Sequence, residues 1–226
     1  MRTTNIGPAL AAAALAATLA LPLAASAADP AAAPPAASRS GIPYVPDAQA
    51  GPPELVEAIR ARRPRRELLH LDRMLLHSPA FAKAWNGMFG AIRGQLAVPA
   101  RLRELAIMAI GTLNRAEYEW AQHEGEFLKA GGTPAQLARL RDVDAAMKDD
   151  KAFDEAERAT LALTAEMTRG IEVSGSTMGR IRALLPDAQV VELVGTIAGY
   201  NMVSRFVVAT GVQIEAPAQG EAGPPR

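Results

Sequence analysis

Apolar residues recur at intervals of three and four over most of residues 54–214, and no stretch alternates with a period of two. The spacing predicts a short amphipathic helix over 54–62, ended by Pro64. From Glu67 onward Leu68, Leu71, Leu75 and Leu76 fall at helical spacing, and Ser78-Pro79 restarts the chain. Phe81, Trp85, Met88, Phe89 and Ile92 mark one face of the next helix, which Gly94 ends. Pro99 opens another as a first-turn proline. Its interior, 105–113, is apolar nearly all round, the pattern of a buried helix. A helix over 117–130 stops at Gly131-Gly132, and Thr133-Pro134-Ala135-Gln136 then combines an N-cap, a first-turn proline and a capping-box glutamine. Asp154 and Glu157 make a similar box, and Ser174 or Ser176 starts a short helix that Pro186 ends. The last helix, 187–210, is mostly apolar but carries Tyr200, Asn201, Ser204 and Arg205. The expectation is a single all-α domain of about eight helices with two buried helices at its centre.

Two stretches fall outside this pattern. Met1-Arg2, the apolar run 9–23 and Ala25-Ser26-Ala27 read as a signal peptide over 1–27, cleaved after Ala27. The run is shorter than the ~20 residues that span a bilayer, so no stable membrane insertion is expected once it is removed. The mature protein is then expected to be periplasmic or secreted. Residues 28–53 are rich in Pro, Ala and Gly and read as a linker, and 215–226 as a disordered tail of similar composition. The helical domain is therefore placed at 54–214.

Composition narrows the chemistry. Lys+Arg and Asp+Glu are 24 each, which argues against nucleic acid as a partner, since neutralising phosphates needs a basic surplus. With no cysteine the chain has no disulfide, no thiolate metal site and no thiol nucleophile. Polar residues that interrupt the apolar helices then become the candidates. Glu119 and His123, four apart, share a helix face, and a carboxylate beside an imidazole is the basic unit of acid–base catalysis. Glu104 precedes the apolar run of the preceding helix. The same residues also fit a solvent-facing pair and a first-turn acid. His70 and His77 lie seven residues apart, about 10 Å along one helix, so one ion does not take both. No metal site is expected. The arginines at 60, 62, 63, 65 and 66 read as a solvated boundary or as a patch for an anionic membrane or partner.

Glu104, eleven residues, then Ala116-Glu117-Tyr118-Glu119-Trp120-Ala121-Gln122-His123 resembles the signature of the alkylhydroperoxidase D and carboxymuconolactone decarboxylase superfamily. Thiol members carry Glu, eleven residues, Cys-x-x-Cys, three residues and His. Here Ala116 and Glu119 fall on the two cysteine positions, and EYEWAQH together with LPDAQVVELVGTIAGYNMVSR resembles the Cys-less branch. The resemblance implies a helical fold assembled as trimers or hexamers. It also implies a cofactor-free enzyme that binds a small carboxylated or lactone substrate and handles its proton with Glu104, Glu119 and His123. Tyr118, Trp120, Asn201 and Arg205 are the expected substrate-binding residues, with Arg205 as the cation for an anionic substrate. The alternatives are peroxide reduction, which lacks its thiolate here, and a non-catalytic ligand-binding or scaffold oligomer.

Overall fold

The computed structural model describes residues 37–63 and 65–215; the expected signal peptide, the expected linker up to 36, Pro64 and the expected tail from 216 lie outside them. Among the described residues there are ten α-helices and no strand: α1 Pro53–Arg60, α2 His70–Leu75, α3 Pro79–Gly94, α4 Ala100–Leu113, α5 Glu117–Lys129, α6 Pro134–Leu140, α7 Val143–Ala146, α8 Glu155–Arg169, α9 Gly175–Leu184 and α10 Asp187–Thr210. Eight of the ten run to seven residues or more. The four-residue α7, capped by the Asp142 side chain on the Ala145 N–H, is too short for periodicity to reveal. No helix among the described residues is long and apolar enough to cross a membrane.

The all-round apolar pattern of α4 has the outcome it predicts. Residues 104–111 are all buried, and the helix packs against α5, α8 and α10. One side of α4, through Ala106, Ile107 and Ile110, joins a core with α2, α3 and α10. The other, through Leu105, Met108 and Ala109, joins a second core with Phe127, Leu140, Phe153 and Leu161. A tight corner follows: Arg115 takes a left-handed conformation at φ 54°, and the Ala116 N–H donates to the Gly111 carbonyl at 2.8 Å. α5 thus folds back along α4. The capping boxes form as expected, Gln136 N–H to Thr133 Oγ1 at 3.2 Å and Glu157 N–H to Asp154 Oδ1 at 2.8 Å. The buried Glu157 also takes Arg101 Nε at 2.5 Å, which ties the start of α8 to α4.

The 54–214 boundary is too narrow at its N-terminal end. Residues 37–52, expected as linker, are packed on the domain, with Tyr44 2% exposed and Val45 and Ala50 buried. Tyr44 stacks on the His70 ring at 4.3 Å, and Asp47 bridges Arg73 at 2.6 Å and Arg60 at 3.2 Å. The Arg39 N–H donates to the Gly211 carbonyl at 2.9 Å, where Gly211 closes α10 in the left-handed region at φ 67°. The apolar side chains that hold this segment, Tyr44, Val45 and Ala50, are too few to register as a pattern among prolines and glycines.

Candidate active site

The α4–α5 corner brings the second turns of two antiparallel helices together. His123 on α5 sits between two carboxylates. Its Nδ1 lies 2.8 Å from Glu104 Oε2 on α4, and its Nε2 lies 3.7 Å from Glu119 Oε2, one turn back on its own helix. All three are buried, at 3 to 4% exposure. Arg103 Nε approaches the second oxygen of Glu104 at 3.3 Å. The Tyr200 ring of α10 meets the His123 ring edge-on, centroids 5.1 Å apart and planes at 89°. Glu104, Glu119 and His123 are thus brought together, and the surface-pair reading of Glu119 and His123 does not hold.

The two glutamates are driven in opposite directions. Burial alone would raise Glu104, but the hydrogen bond and charge of His123, helped by Arg103 and Arg93, outweigh it and hold the carboxyl below the usual range. Burial dominates at Glu119 and pushes its carboxyl up, against the weaker opposing pull of His123, Arg93 and Arg63. Paired groups whose surroundings separate their proton affinities are the usual mark of an acid and a base sharing one site. An ionised Glu104 accepts the Nδ1 proton and leaves the Nε2 lone pair of His123 directed toward Glu119.

The raised Glu119 has a consequence for stability. In the unfolded chain Glu119 ionises as pH passes its ordinary value, while the folded chain keeps the proton, so stability present at low pH is lost as pH rises toward the raised value. Glu119→Gln, a neutral isostere, escapes this loss. Its stability relative to the parent is expected to improve with rising pH at up to about 1.4 kcal/mol per unit across that window. Urea unfolding of both proteins from pH 4 to pH 8 measures the difference, and a difference independent of pH would show that Glu119 is not protonated in the fold.

Glu119 and His123 line a cavity of about 40 Å³ closed by Trp85, Phe89 and Arg93 of α3, Arg62, Arg63, Tyr118, Gln122 and Tyr200. That volume holds two or three water molecules. Arg63 is committed to Asp72, with Nε 2.8 Å from Oδ2 and a second, shorter bond alongside. Arg62 is held by neutral acceptors, the Asn86 carbonyl at 2.9 Å and its side-chain oxygen at 2.5 Å. Burial, then the charges of Arg63 and Arg93, push Arg62 below its ordinary range. Among the described residues, the ion-pair partner of Arg93 is Glu126, at 3.8 Å. The cavity wall therefore carries a cationic excess that an anion relieves.

Of the expected substrate-binding residues, Tyr118 lines this cavity and three do not. Trp120 points to the other side of α5, into the second core, beneath the Arg141 guanidinium 3.5 Å from its ring centre. Asn201 is a structural tie: its Nδ2 donates to Thr168 Oγ1 at 3.0 Å and its Oδ1 accepts from Asn114 Nδ2 at 2.9 Å. Arg205 folds back on Asn201 Oδ1 at 2.7 Å and is exposed, so it is not the cation of the site. The cause is rotational. Successive residues turn about 100° around a helix, so Tyr200 and Val203 face the cavity while Asn201 and Ser204 face α4 and α8. The cations are instead Arg62, Arg63 and Arg93. Two of these belong to the arginine cluster read as a solvated boundary, and a density of guanidiniums beside a buried acid–base pair is the signal that could have placed them. His70 and His77 bind main-chain oxygens, Nδ1 to Gln213 and Nε2 to Pro43, each at 2.7 Å. Among the described residues no three His, Asp or Glu side chains converge as a metal cage.

Comparison with known proteins gives a family match over part of the chain, and the fold. Residues 79–166, which hold Glu104, Glu119 and His123, match the model of the carboxymuconolactone decarboxylase family. An uncharacterized peroxidase-related protein from Silicibacter sp. TM1040 superposes with a TM-score of 0.65 at 17% identity, covering 79% of this chain and 95% of its own. An uncharacterized peroxidase-related protein from Ralstonia eutropha JMP134, described as an alkylhydroperoxidase AhpD core, gives 0.65 at 17% identity, covering 76% and 90%. A variant of the debrominase Bmp8 in complex with 2,3,4-tribromopyrrole gives 0.63 at 18%, covering 76% and 90%. No curated protein sequence matches the chain.

Proposed function

We propose that the chain is a cofactor-free acid–base enzyme of the carboxymuconolactone decarboxylase and alkylhydroperoxidase D-like superfamily, acting on a small carboxylated or lactone substrate; the family match of residues 79–166 and the shared fold support the reading. The observation that carries the reading is the buried chain Glu104–His123–Glu119 at the wall of a cationic cavity. Glu104 fixes the imidazole through Nδ1, and Nε2 is the base that takes up a solvent proton and returns it to Glu119 after each turnover. Protonated Glu119 is the acid. Arg62 and Arg93 receive the anionic end of the substrate and stabilise negative charge that develops on a lactone oxygen. In a decarboxylation the bond to the carboxylate breaks and its electron pair passes to the carbon conjugated with the lactone carbonyl. Glu119 then delivers a proton to that carbon, while the released carbon dioxide takes none. Thiol peroxide reduction is not proposed, because the sequence holds no cysteine.

Carboxymuconolactone and other small carboxylated lactones, followed by carbon dioxide release, test the reading. Arg93→Gln is expected to raise KM about tenfold with a smaller change in kcat, since one charge-assisted contact to the substrate is lost. An unchanged KM would remove Arg93 from substrate binding.

The proposal extends to export after cleavage at Ala27 and to self-association as a trimer or hexamer. Support for association comes from α10, which is apolar on its outer side as well, with Val191 71%, Val208 54% and Met202 38% exposed. Hydrodynamic mass in solution reads the assembly.

A further inference from the structure

A cavity of about 40 Å³ is far below the roughly 300–1,000 Å³ of ordinary ligand pockets, so a substrate enters only if part of the wall yields. Beyond Val212, which is buried in the core, the segment after α10 is held mainly by polar contacts. Ile214 is 51% exposed, and the stretch from Gln213 to Glu215 is fastened by hydrogen bonds. Glu215 Oε1 accepts from the His70 N–H at 2.7 Å and from Tyr118 Oη at 3.0 Å, and Oε2 accepts from Gln122 Nε2 at 2.7 Å. Tyr118 and Gln122, one turn apart on α5, are themselves cavity wall. Both oxygens of a carboxylate are thus met by donors that belong to the site rather than to the tail.

We propose that Tyr118 Oη, Gln122 Nε2 and the His70 N–H form a carboxylate seat on the cavity rim, filled here by the chain's own Glu215, and that a small carboxylate ligand binds by displacing it. The inference deepens the reading of the site as one for carboxylated molecules and rests on it. Burial and the nearby Glu215 keep the Tyr118 hydroxyl protonated well above the ordinary tyrosine range, so it stays a donor to whichever carboxylate occupies the seat. The imidazole of His70, with Nδ1 4.0 Å from Glu215 Oε1, adds a polar neighbour without being tied to the carboxylate. The Glu215 carboxylate acts as a tethered competitor. Removing it raises apparent affinity by the inverse of the fraction of molecules whose seat is open.

The test uses the full chain with succinate as probe and its neutral diamide as control, read by titration calorimetry. Glu215→Ala is expected to bind succinate about tenfold more tightly than the parent, and neither protein to bind the diamide. Adding Tyr118→Phe to Glu215→Ala is expected to cancel the gain. Equal affinity in parent and Glu215→Ala, or a gain that survives Tyr118→Phe, overturns the seat. A second measurement needs no variant: succinate bound to the parent is expected to speed amide hydrogen exchange at Gln213, whose N–H is held by Tyr44 Oη at 2.9 Å. Unchanged exchange with succinate bound overturns displacement. None of these readouts involves turnover. Succinate binding with tail release but no reaction on any lactone leaves the seat standing and removes the acid–base reading; turnover with Glu215→Ala indistinguishable from the parent does the reverse.

Discussion

Turnover of a carboxylated lactone is expected to fall by about 10²- to 10⁴-fold in His123→Gln and in Glu104→Gln alike, because each variant removes one half of a general-base unit. His123→Gln removes the ring nitrogen that faces Glu119. Glu104→Gln keeps an acceptor near Nδ1 but loses the charge that fixes the tautomer and orientation of the ring. The two losses are expected to be non-additive, the double variant being little worse than either single one, as for groups that act as a unit. Folding is expected to suffer much less. Glutamine fills nearly the volume of glutamate, and the loss of a charge-assisted hydrogen bond costs about 1.5–3 kcal/mol. Activity assays paired with thermal unfolding separate the two effects. Turnover retained in either variant, or equal loss of folding and activity in both, would assign the pair a structural role.

Gly132→Ala is expected to destabilise the domain by about 3 kcal/mol, near the upper end of the cost of overpacking a core. Gly131, at φ 96°, turns the chain after α5, and the Gly132 N–H donates to the Phe127 carbonyl at 2.9 Å, which presses residue 132 onto the Phe127 ring. A Cβ at position 132 would stand 2.2 Å from Cε1 and 2.4 Å from Cδ1 of that ring. Phe127 is fully buried in the second core among Leu140 and Phe153, so the ring has no free space to turn into. For a domain of this size about 3 kcal/mol corresponds to roughly 10 °C in Tm. Gly179→Ala is the opposite control. It lies exposed inside α9 with no atom within 4 Å of its Cβ position, and the better helix former is expected to stabilise by about 0.5–1 kcal/mol. A shift of the same sign in both would contradict the packing argument.

Much of the fold was legible because its helices announce themselves locally. The boundaries of α5 and α10 follow the glycine after one and the proline before the other, and the boxes at Thr133 and Asp154 sit where the motif places them. The segment 37–52 was not legible, since burial of Tyr44 depends on His70 and Gln213, which lie far away along the chain. α2 shows the same limit in miniature. Periodicity starts the helix at Glu67, but Asp72 accepts from the Leu69 N–H at 3.0 Å while binding Arg63, and the helix begins only at His70.

The sequence by itself determined the all-α class, the burial of α4 and the nearness of Glu119 to His123. These follow from periods of three, four and seven along one helix, which need no partner to read. The absence of cysteine likewise removed thiol chemistry without any coordinates. Tertiary structure alone decided that Glu104 reaches His123, because their bond crosses the α4–α5 corner. It also decided that Arg62 and Arg93, rather than Arg205, supply the positive charge. Which face of α10 meets the cavity is fixed by how α10 is rotated against α3 and α4. That rotation is set by side-chain packing across helices, such as Ile92 and Phe89 closing on Gly199, and no pattern within α10 records it.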